Sequence, residues 1–297
     1  MTTIPHIIQK KDTSKIPFPL TIKLLPVKTL HPHEVVVPSL LKALKKEISQ
    51  DGILKNPLLV ERENFTVLDG MHRLKAVKEL DIKYIPTCLV NYDSNAIKIG
   101  SWCRKLSFKN FDTQRVIKEV EEVLNGQIRY QYIPFETAVE SLQGARDRLL
   151  ILDPIGKQAI QDAEETNENK YWKVNSIETL LEEVMFSEVE YIADTEAFED
   201  IRSKKEIFLV PPSVEKETVL THNRVGKLLP PKMTRHIFPA RPLSVNSPLS
   251  LLTDDATVEE KNTEFEEFLS KKKVKKVEGQ RVIDGRFYEE DTLYIFQ

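Results

Sequence analysis

One stretch limits what this chain can fold into more than any other: Val67-Leu68-Asp69-Gly70-Met71-His72-Arg73-Leu74-Lys75-Ala76-Val77. Phe65 to Leu68 is short and apolar enough for a buried strand. Asp69-Gly70 is a turn signal. Met71, Leu74, Val77 and Leu80 then recur at helical spacing. A strand must therefore pass through a tight glycine turn into a helix whose first turn carries His72 and Arg73. Backbone N–H groups at a helix start, beside an arginine and a histidine, make a place for a phosphate. The same letters also describe a plain strand–helix joint, with Asp69 as N-cap and solvated polar side chains, and a motif this short does not separate the two.

The flanking sequence extends the pattern. Leu20 to Val27 alternates as a strand whose end Pro26 places at an edge or bulge. His31-Pro32-His33-Glu34 is biased away from helix, which puts Glu34 on an ordered loop or at a strand end. Pro38 suits a helix start, Leu40, Leu41, Leu44 and Ile48 its apolar face, and Gly52 its stop. Pro57 to Val60 is a strand, Asn64 lies in a turn, and Tyr84 to Tyr92 is a strand with an irregularity at Pro86. The order strand, helix, strand, strand, helix, strand closes near Leu106.

A second mixed region follows to about Pro230. It has helices over Thr113–Leu124 and Ser176–Phe186, strands over Arg148–Leu152 and Glu206–Val210, and a helix that Ser213 caps and Gly226 ends. Glu164 to Lys170 is polar and reads as an exposed loop. After Val245–Leu252 come a helix over Val258–Lys271, a hairpin turning at Asp284-Gly285, and a last strand over Leu293–Phe296. The fold class is α+β. The expected divisions are residues 1–106, 107–252 (with a loop at 230–240) and a helix-and-strand extension at 253–297.

Composition removes several classes of function. The 297 residues suit one large or two modest domains. Lys and Arg number 43 against 46 Asp and Glu, a formal net charge of −3, so no global basic field points to nucleic acid. Cys88 and Cys103 lack metal-type spacing and read as reduced thiols. Prolines interrupt the N-terminus and no apolar run is long enough for a bilayer, so a cytoplasmic protein without a membrane partner is expected. Lys271 to Lys276 reads as a solvated face, favourable at a helix C-terminus.

Three polar clusters remain: Glu34, then Asp69/His72/Arg73, then Lys232/Thr234/Arg235/His236 after Pro230-Pro231. No Walker-type loop, Rossmann glycine fingerprint or protein-kinase glycine loop is present. A carboxylate, a helix-start phosphate site and a separate basic loop together suit phosphoryl transfer, which depends on positioning and charge neutralisation.

At these residues a family resemblance becomes specific. The block His33-Glu34, Asp51-Gly52-Ile53 with Lys55-Asn56-Pro57, Asp69-Gly70-Met71-His72-Arg73, and Ile85-Pro86 resembles a ParB/sulfiredoxin-like N-terminal domain. More narrowly it resembles the free L-serine kinases built on that domain, which make O-phospho-L-serine. The likeness runs through Trp102 to Pro231-Lys232-Met233-Thr234-Arg235-His236 and the following Val245–Leu252. The family has an archaeal branch that uses ADP and a bacterial branch that uses ATP to supply a siderophore precursor. Met71 stands where the ADP branch has histidine, as an apolar residue does in the bacterial branch.

The resemblance implies roles residue by residue. Glu34 matches the catalytic carboxylate, which can also help to hold Mg²⁺. Asp69, Gly70, Met71, His72 and Arg73 match the nucleotide turn, with ATP or ADP as donor. Trp102, Lys232, Thr234, Arg235 and His236 match the part that meets L-serine, and Lys55 is a further candidate there. Sulfiredoxin chemistry needs a cysteine where Met71 stands and is set aside. A ParB-like regulator that binds nucleotide or DNA without turnover is the alternative, although those proteins carry a Gly-Glu-Arg-Arg-type turn and a helix-turn-helix not seen here.

Overall fold

The computed structural model describes residues 20–107, 115–116, 118–120, 130–141, 149–153, 158–162, 170–185, 188–200, 206–283 and 285–297. The chain forms two units. The first takes the residues up to Lys98 with Val219–Leu228 and His236–Gln297, and the second takes Ile99–Thr218 with Leu229–Arg235. The segment 253–297, expected as a separate extension, falls within the first unit.

The first unit begins with β1 (Thr21–Pro26), α1 (Pro38–Asp51), β2 (Leu58–Glu61), β3 (Val67–Asp69), α2 (Met71–Glu79) and β4 (Tyr84–Val90). The sheet order is β1-β4-β2-β3. β4 pairs antiparallel with β1 and parallel with β2, and β2 pairs antiparallel with β3. All of β4 is buried, and its register with β1 passes Pro86 opposite Leu24 without a shift, so the expected irregularity is absent. Phe65 sits at φ 53°, in the turn rather than the strand, which starts at Val67. Helix α1 has proline at its start, and Gly52 ends it at φ 66° with its N–H donating to the Ile48 carbonyl. Leu41 and Ile48 face the core, whereas Leu40 is exposed.

The second unit contains β5 (Trp102–Ser107), β6 (Tyr130–Pro134), α3 (Phe135–Ser141), β7 (Leu150–Asp153), β8 (Gln158–Asp162), α4 (Lys170–Met185), β9 (Glu188–Ala193), α5 (Asp194–Asp200) and β10 (Ile207–Val210). Its sheet runs β9-β5-β10-β7-β8-β6, and each neighbouring pair is antiparallel. Cys103, Val139, Leu152, Ile192 and Phe208 pack in its core. Helix α4 starts at Lys170, earlier than the expected Ser176. Its buried stripe of Tyr171, Val174, Ile177 and Leu181 has true helical spacing, but Lys170, Lys173 and Asn175 hide its first turn among polar letters. Residues 164–169 of the expected loop lie outside the described residues. So does most of the Thr113–Leu124 helix, of which 115–116 and 118–120 are helical. Helix α6 (Lys216–Arg224) begins three residues after Ser213 and stops before Gly226, which sits at φ 68°.

The C-terminal part of the first unit holds β11 (Ala240–Leu243), α7 (Val258–Ser270), β12 (Val274–Glu278) and β13 (Thr292–Phe296). β13 pairs parallel with β11 and antiparallel with β12. A capping box of Thr257 and Glu260 starts α7. Asn262 grips β1, accepting from the Leu24 N–H at 2.9 Å and donating to the Leu24 carbonyl at 3.0 Å. The expected hairpin forms between Arg281–Ile283 and Arg286–Tyr288. Among the described residues, no helix is long and apolar enough to cross a membrane.

Candidate functional site

In the first unit, Glu34 lies just before α1 and is only 8% exposed. Its neighbour His33 is fixed by a 2.6 Å bond from Nδ1 to the Val67 carbonyl, at the head of β3. A carbonyl only accepts, so Nδ1 carries the proton. The other nitrogen, Nε2, stands 3.8 Å from Glu34 Oε1. His33 meets His236 edge to face, with ring centroids 5.4 Å apart. His236 Nε2 lies 2.6 Å from the Tyr92 hydroxyl. Burial pushes the Tyr92 phenol well above its usual range, so it stays protonated. The catalytic candidate is thus held against a buried row of hydrogen-bonding rings.

Gly70, at φ 103°, is the residue before α2 and stands at its N-cap position. Asp69 Oδ2 accepts from Arg73 Nη2 at 3.2 Å and from Arg241 Nη1. Arg73 Nη1 also donates to the carbonyls of Asn56 at 2.8 Å and Pro57 at 2.6 Å. His72 Nε2 accepts the Val37 N–H at 3.0 Å, so its ring proton is on Nδ1 and α2 is tied to the start of α1. The guanidinium of Arg73 wraps the turn.

Gly70 is required on two counts. Its backbone angle disfavours a side chain, and an added Cβ would clash with Leu58 Cδ2 and lie 2.9 Å from Arg73 Nη2. Gly70→Ala is expected to cost about 1–3 kcal/mol for the backbone angle, with the clash in addition. A urea titration in which this variant matches the parent would contradict that reading.

The second unit brings Trp102, Lys232 and Arg235 together. Lys232, at φ 59°, places Nζ 5.3 Å from the centre of the Trp102 ring and 5.6 Å from that of Tyr191. The Arg235 guanidinium lies 5.9 Å from the Trp102 ring, and its Nη2 donates to Asp194 Oδ1 at 2.7 Å. The Ser101 N–H donates to Asp194 Oδ2 at 3.1 Å. Thr234 is buried. The run Lys232–His236 is divided, since His236 belongs to the first unit. Lys55 belongs to the first unit. Its ammonium pairs on the surface with Glu47 at 2.6 Å and Asp51 at 2.9 Å, the partners that raise its pKa.

Sequence reading missed Arg104, Asp194, Arg241 and Glu290. One of them left a signal: Arg241 interrupts a strand that is otherwise apolar and buried, and a buried arginine needs partners.

Residues 6–100 match the model of the ParB N-terminal domain. An "ATP-dependent L-serine kinase" of Staphylothermus marinus is 29% identical over 77% of this chain and 90% of its own length. The "ADP-dependent L-serine kinase SerK" of Thermococcus kodakarensis is 24% identical over 75% of this chain and 89% of its own. A solved structure described as "Free serine kinase in complex with AMP" shares the fold, with a TM-score of 0.64 at 21% identity, over 80% of this chain and 97% of that one.

Proposed function

We propose that this chain, which carries a ParB N-terminal domain at residues 6–100, is a free L-serine kinase that transfers a phosphoryl group from ATP to the serine hydroxyl. One observation carries the reading. The relative named as a serine kinase aligns over nine-tenths of its own length, and the alignment coexists here with a buried Glu34 in the same unit as a helix that starts at a glycine turn. ADP is the second donor to test, because a relative with that preference aligns over a similar span.

In the proposed reaction Glu34 takes the hydroxyl proton of serine. The serine oxygen attacks the terminal phosphorus, the bond from that phosphorus to the bridging oxygen breaks, and ADP leaves. His72, through its Nδ1–H, and the first N–H groups of α2 receive the phosphates. Asp69, Gly70, Met71 and Arg73 shape that turn. Lys232 and Arg235 supply positive charge suited to the carboxylate of an amino acid, beside Trp102 and Thr234, and His236 joins Tyr92 behind Glu34. These assignments are supported by local geometry and by the resemblance.

Magnesium fits the donor set as a shared ion. Among the described residues no group of three or more His, Cys, Asp or Glu could cage a metal. Mg²⁺ in kinases is commonly held by one or two carboxylates plus substrate phosphates. Glu34 is the residue that would hold it, and the ion would neutralise phosphate charge.

The test is to incubate the purified chain with Mg²⁺, L-serine and either ATP or ADP, and to measure O-phosphoserine. Product with ATP is expected. No product with either nucleotide would sink the kinase reading. Nucleotide or DNA binding without turnover would instead favour a ParB-like regulator, a class the net charge of −3 does not favour for DNA.

A further inference from the structure

In the proposed reaction Arg235 supplies charge for an amino-acid carboxylate. A guanidinium on a long side chain can do so with precision only when something fixes where it points. Within the second unit that anchor is Asp194. Arg235 is 6% exposed, and an arginine so deeply buried needs a partner for its charge. Its Nη2 donates to Asp194 Oδ1 at 2.7 Å, the distance of a charge-assisted bond.

The Asp194 carboxylate is held in turn by a strand end. β9 finishes at Ala193, which stands opposite Trp102 on β5. One step beyond, the Asp194 N–H donates to the Ser101 carbonyl at 3.2 Å, and the Ser101 N–H donates back to Asp194 Oδ2 at 3.1 Å. The Ser101 hydroxyl reaches the same oxygen at 3.4 Å, and the Thr195 N–H meets Oδ1 at 3.2 Å. Oδ2 is thus fastened to the backbone immediately before Trp102, while Oδ1 takes Arg235. Both oxygens lie on one planar group. The strand end that carries the Trp102 ring therefore also sets the guanidinium, whose Cζ lies 5.9 Å from the centre of that ring.

Gly100 supplies a second observation. A Cβ there would stand 3.0 Å from Asp194 Oδ1, 3.1 Å from Arg235 Nη2 and 3.2 Å from Asp194 Oδ2. The chain runs directly over the ion pair, and a side chain at position 100 would press into it. The pair is confined between backbone segments, unlike an ion pair that moves freely at a surface.

We propose that Asp194 is a positioning residue of the amino-acid pocket: its carboxylate holds the Arg235 guanidinium beside Trp102, in the pose that meets the carboxylate of the substrate. The inference rests on the kinase reading for the identity of that substrate. It also assigns Gly100 a part, as the position that must stay without a side chain for the pair to keep its place.

The experiment measures binding of L-serine to the full chain by calorimetry in the presence of AMP, so that no turnover intrudes, with steady-state kinetics alongside. L-serinamide, which replaces the carboxylate by a neutral group of the same shape, is the second probe, measured by competition against serine. Asp194→Asn is expected to weaken L-serine binding by about 10- to 100-fold, the scale for losing a partner that orients a ligand-contacting group. The KM for serine should rise accordingly, while kcat and nucleotide affinity stay within about threefold, the pattern of lost substrate binding. The preference for serine over serinamide should shrink by a similar factor, because the lost interaction acts on the carboxylate. A merely structural role would weaken both ligands together. Asp194→Glu keeps the charge and should recover part of the loss. Gly100→Ala should move serine binding in the same direction as Asp194→Asn, by less; if Asp194→Asn fails to fold, Gly100→Ala decides the matter with Asp194 intact.

Unchanged serine affinity in the folded variants, or an equal loss for serine and serinamide, overturns the proposal; phosphoserine formation by the parent would then leave the kinase reading standing without it. A parent that binds L-serine and loses it in the expected pattern, yet forms no phosphoserine, would sink the kinase reading and leave the positioning role in place. A parent that neither binds nor phosphorylates serine overturns both.

Discussion

Glu34→Gln is expected to lower kcat for phosphoserine formation by about 10²- to 10⁴-fold, the range for loss of a general base, with nucleotide affinity largely kept. Glutamine preserves the shape and the hydrogen-bonding oxygen, but it cannot take a proton from the serine hydroxyl. The surroundings make the test clean. Glu34 is nearly buried and His33 is pinned through Nδ1 to the Val67 carbonyl, so the substitution leaves the backbone route into the β3–α2 turn in place. The drop should appear in kcat more than in the KM for serine, because the base acts on the reacting proton. A variant retaining more than about a tenth of the parent turnover would remove Glu34 from that role. If Glu34 also holds Mg²⁺, raising the magnesium concentration will restore part of the loss but not all of it.

The N-terminal architecture was readable because its signals are local. A proline and a glycine bracket α1, and an aspartate–glycine pair followed by apolar residues at helical spacing announces β3 and α2. The ParB-type block placed those elements in a known arrangement. What was not readable depended on partners far along the chain. Asp69 was read as either a cap or a phosphate residue, and its orientation is set by Arg241, on a strand whose sequence shows only that one arginine sits among apolar letters. Arg73 was read as a phosphate ligand; that its Nη1 donates to the carbonyls of Asn56 and Pro57 was not legible. His72 was read as a phosphate-holding group; that its Nε2 accepts the Val37 N–H was not legible. In each case the residue type was informative and the direction of the side chain was not, because direction follows from pairing that no periodicity encodes. The early start of α4 was missed for a different reason: polar residues occupy its first exposed positions, so the apolar stripe became visible only two turns on.

Arg104→Met should be the most destabilising single substitution in the second unit, by about 3–5 kcal/mol, the cost of breaking a buried ion pair from one side. Arg104 is fully buried on β5. Its Nε donates to Glu178 at 2.8 Å, Nη1 to the carbonyls of Trp102 at 2.8 Å and Lys232 at 3.0 Å, and Nη2 to the carbonyl of Pro231 at 2.7 Å. Tyr191 lies against the guanidinium at 5.5 Å and its hydroxyl donates to Glu178; burial, then the Glu178 charge, keep that phenol protonated. Methionine fills much of the volume but strands the Glu178 carboxylate and leaves buried carbonyls without their donors. The Pro231–Lys232 backbone would lose its anchor, and with it the position of the Lys232 ammonium over Trp102 and Tyr191. Urea unfolding should therefore show a lower midpoint, and the KM for serine should rise where the variant remains folded. Arg104→Lys separates the two effects. It keeps a charge for Glu178 but cannot reach three carbonyls and a carboxylate at once, so it should recover part of the stability while leaving the KM for serine raised. An Arg104→Met protein that unfolds within about 1 kcal/mol of the parent would mean that the loop is held by other contacts, since surface substitutions away from such features already span about half that range.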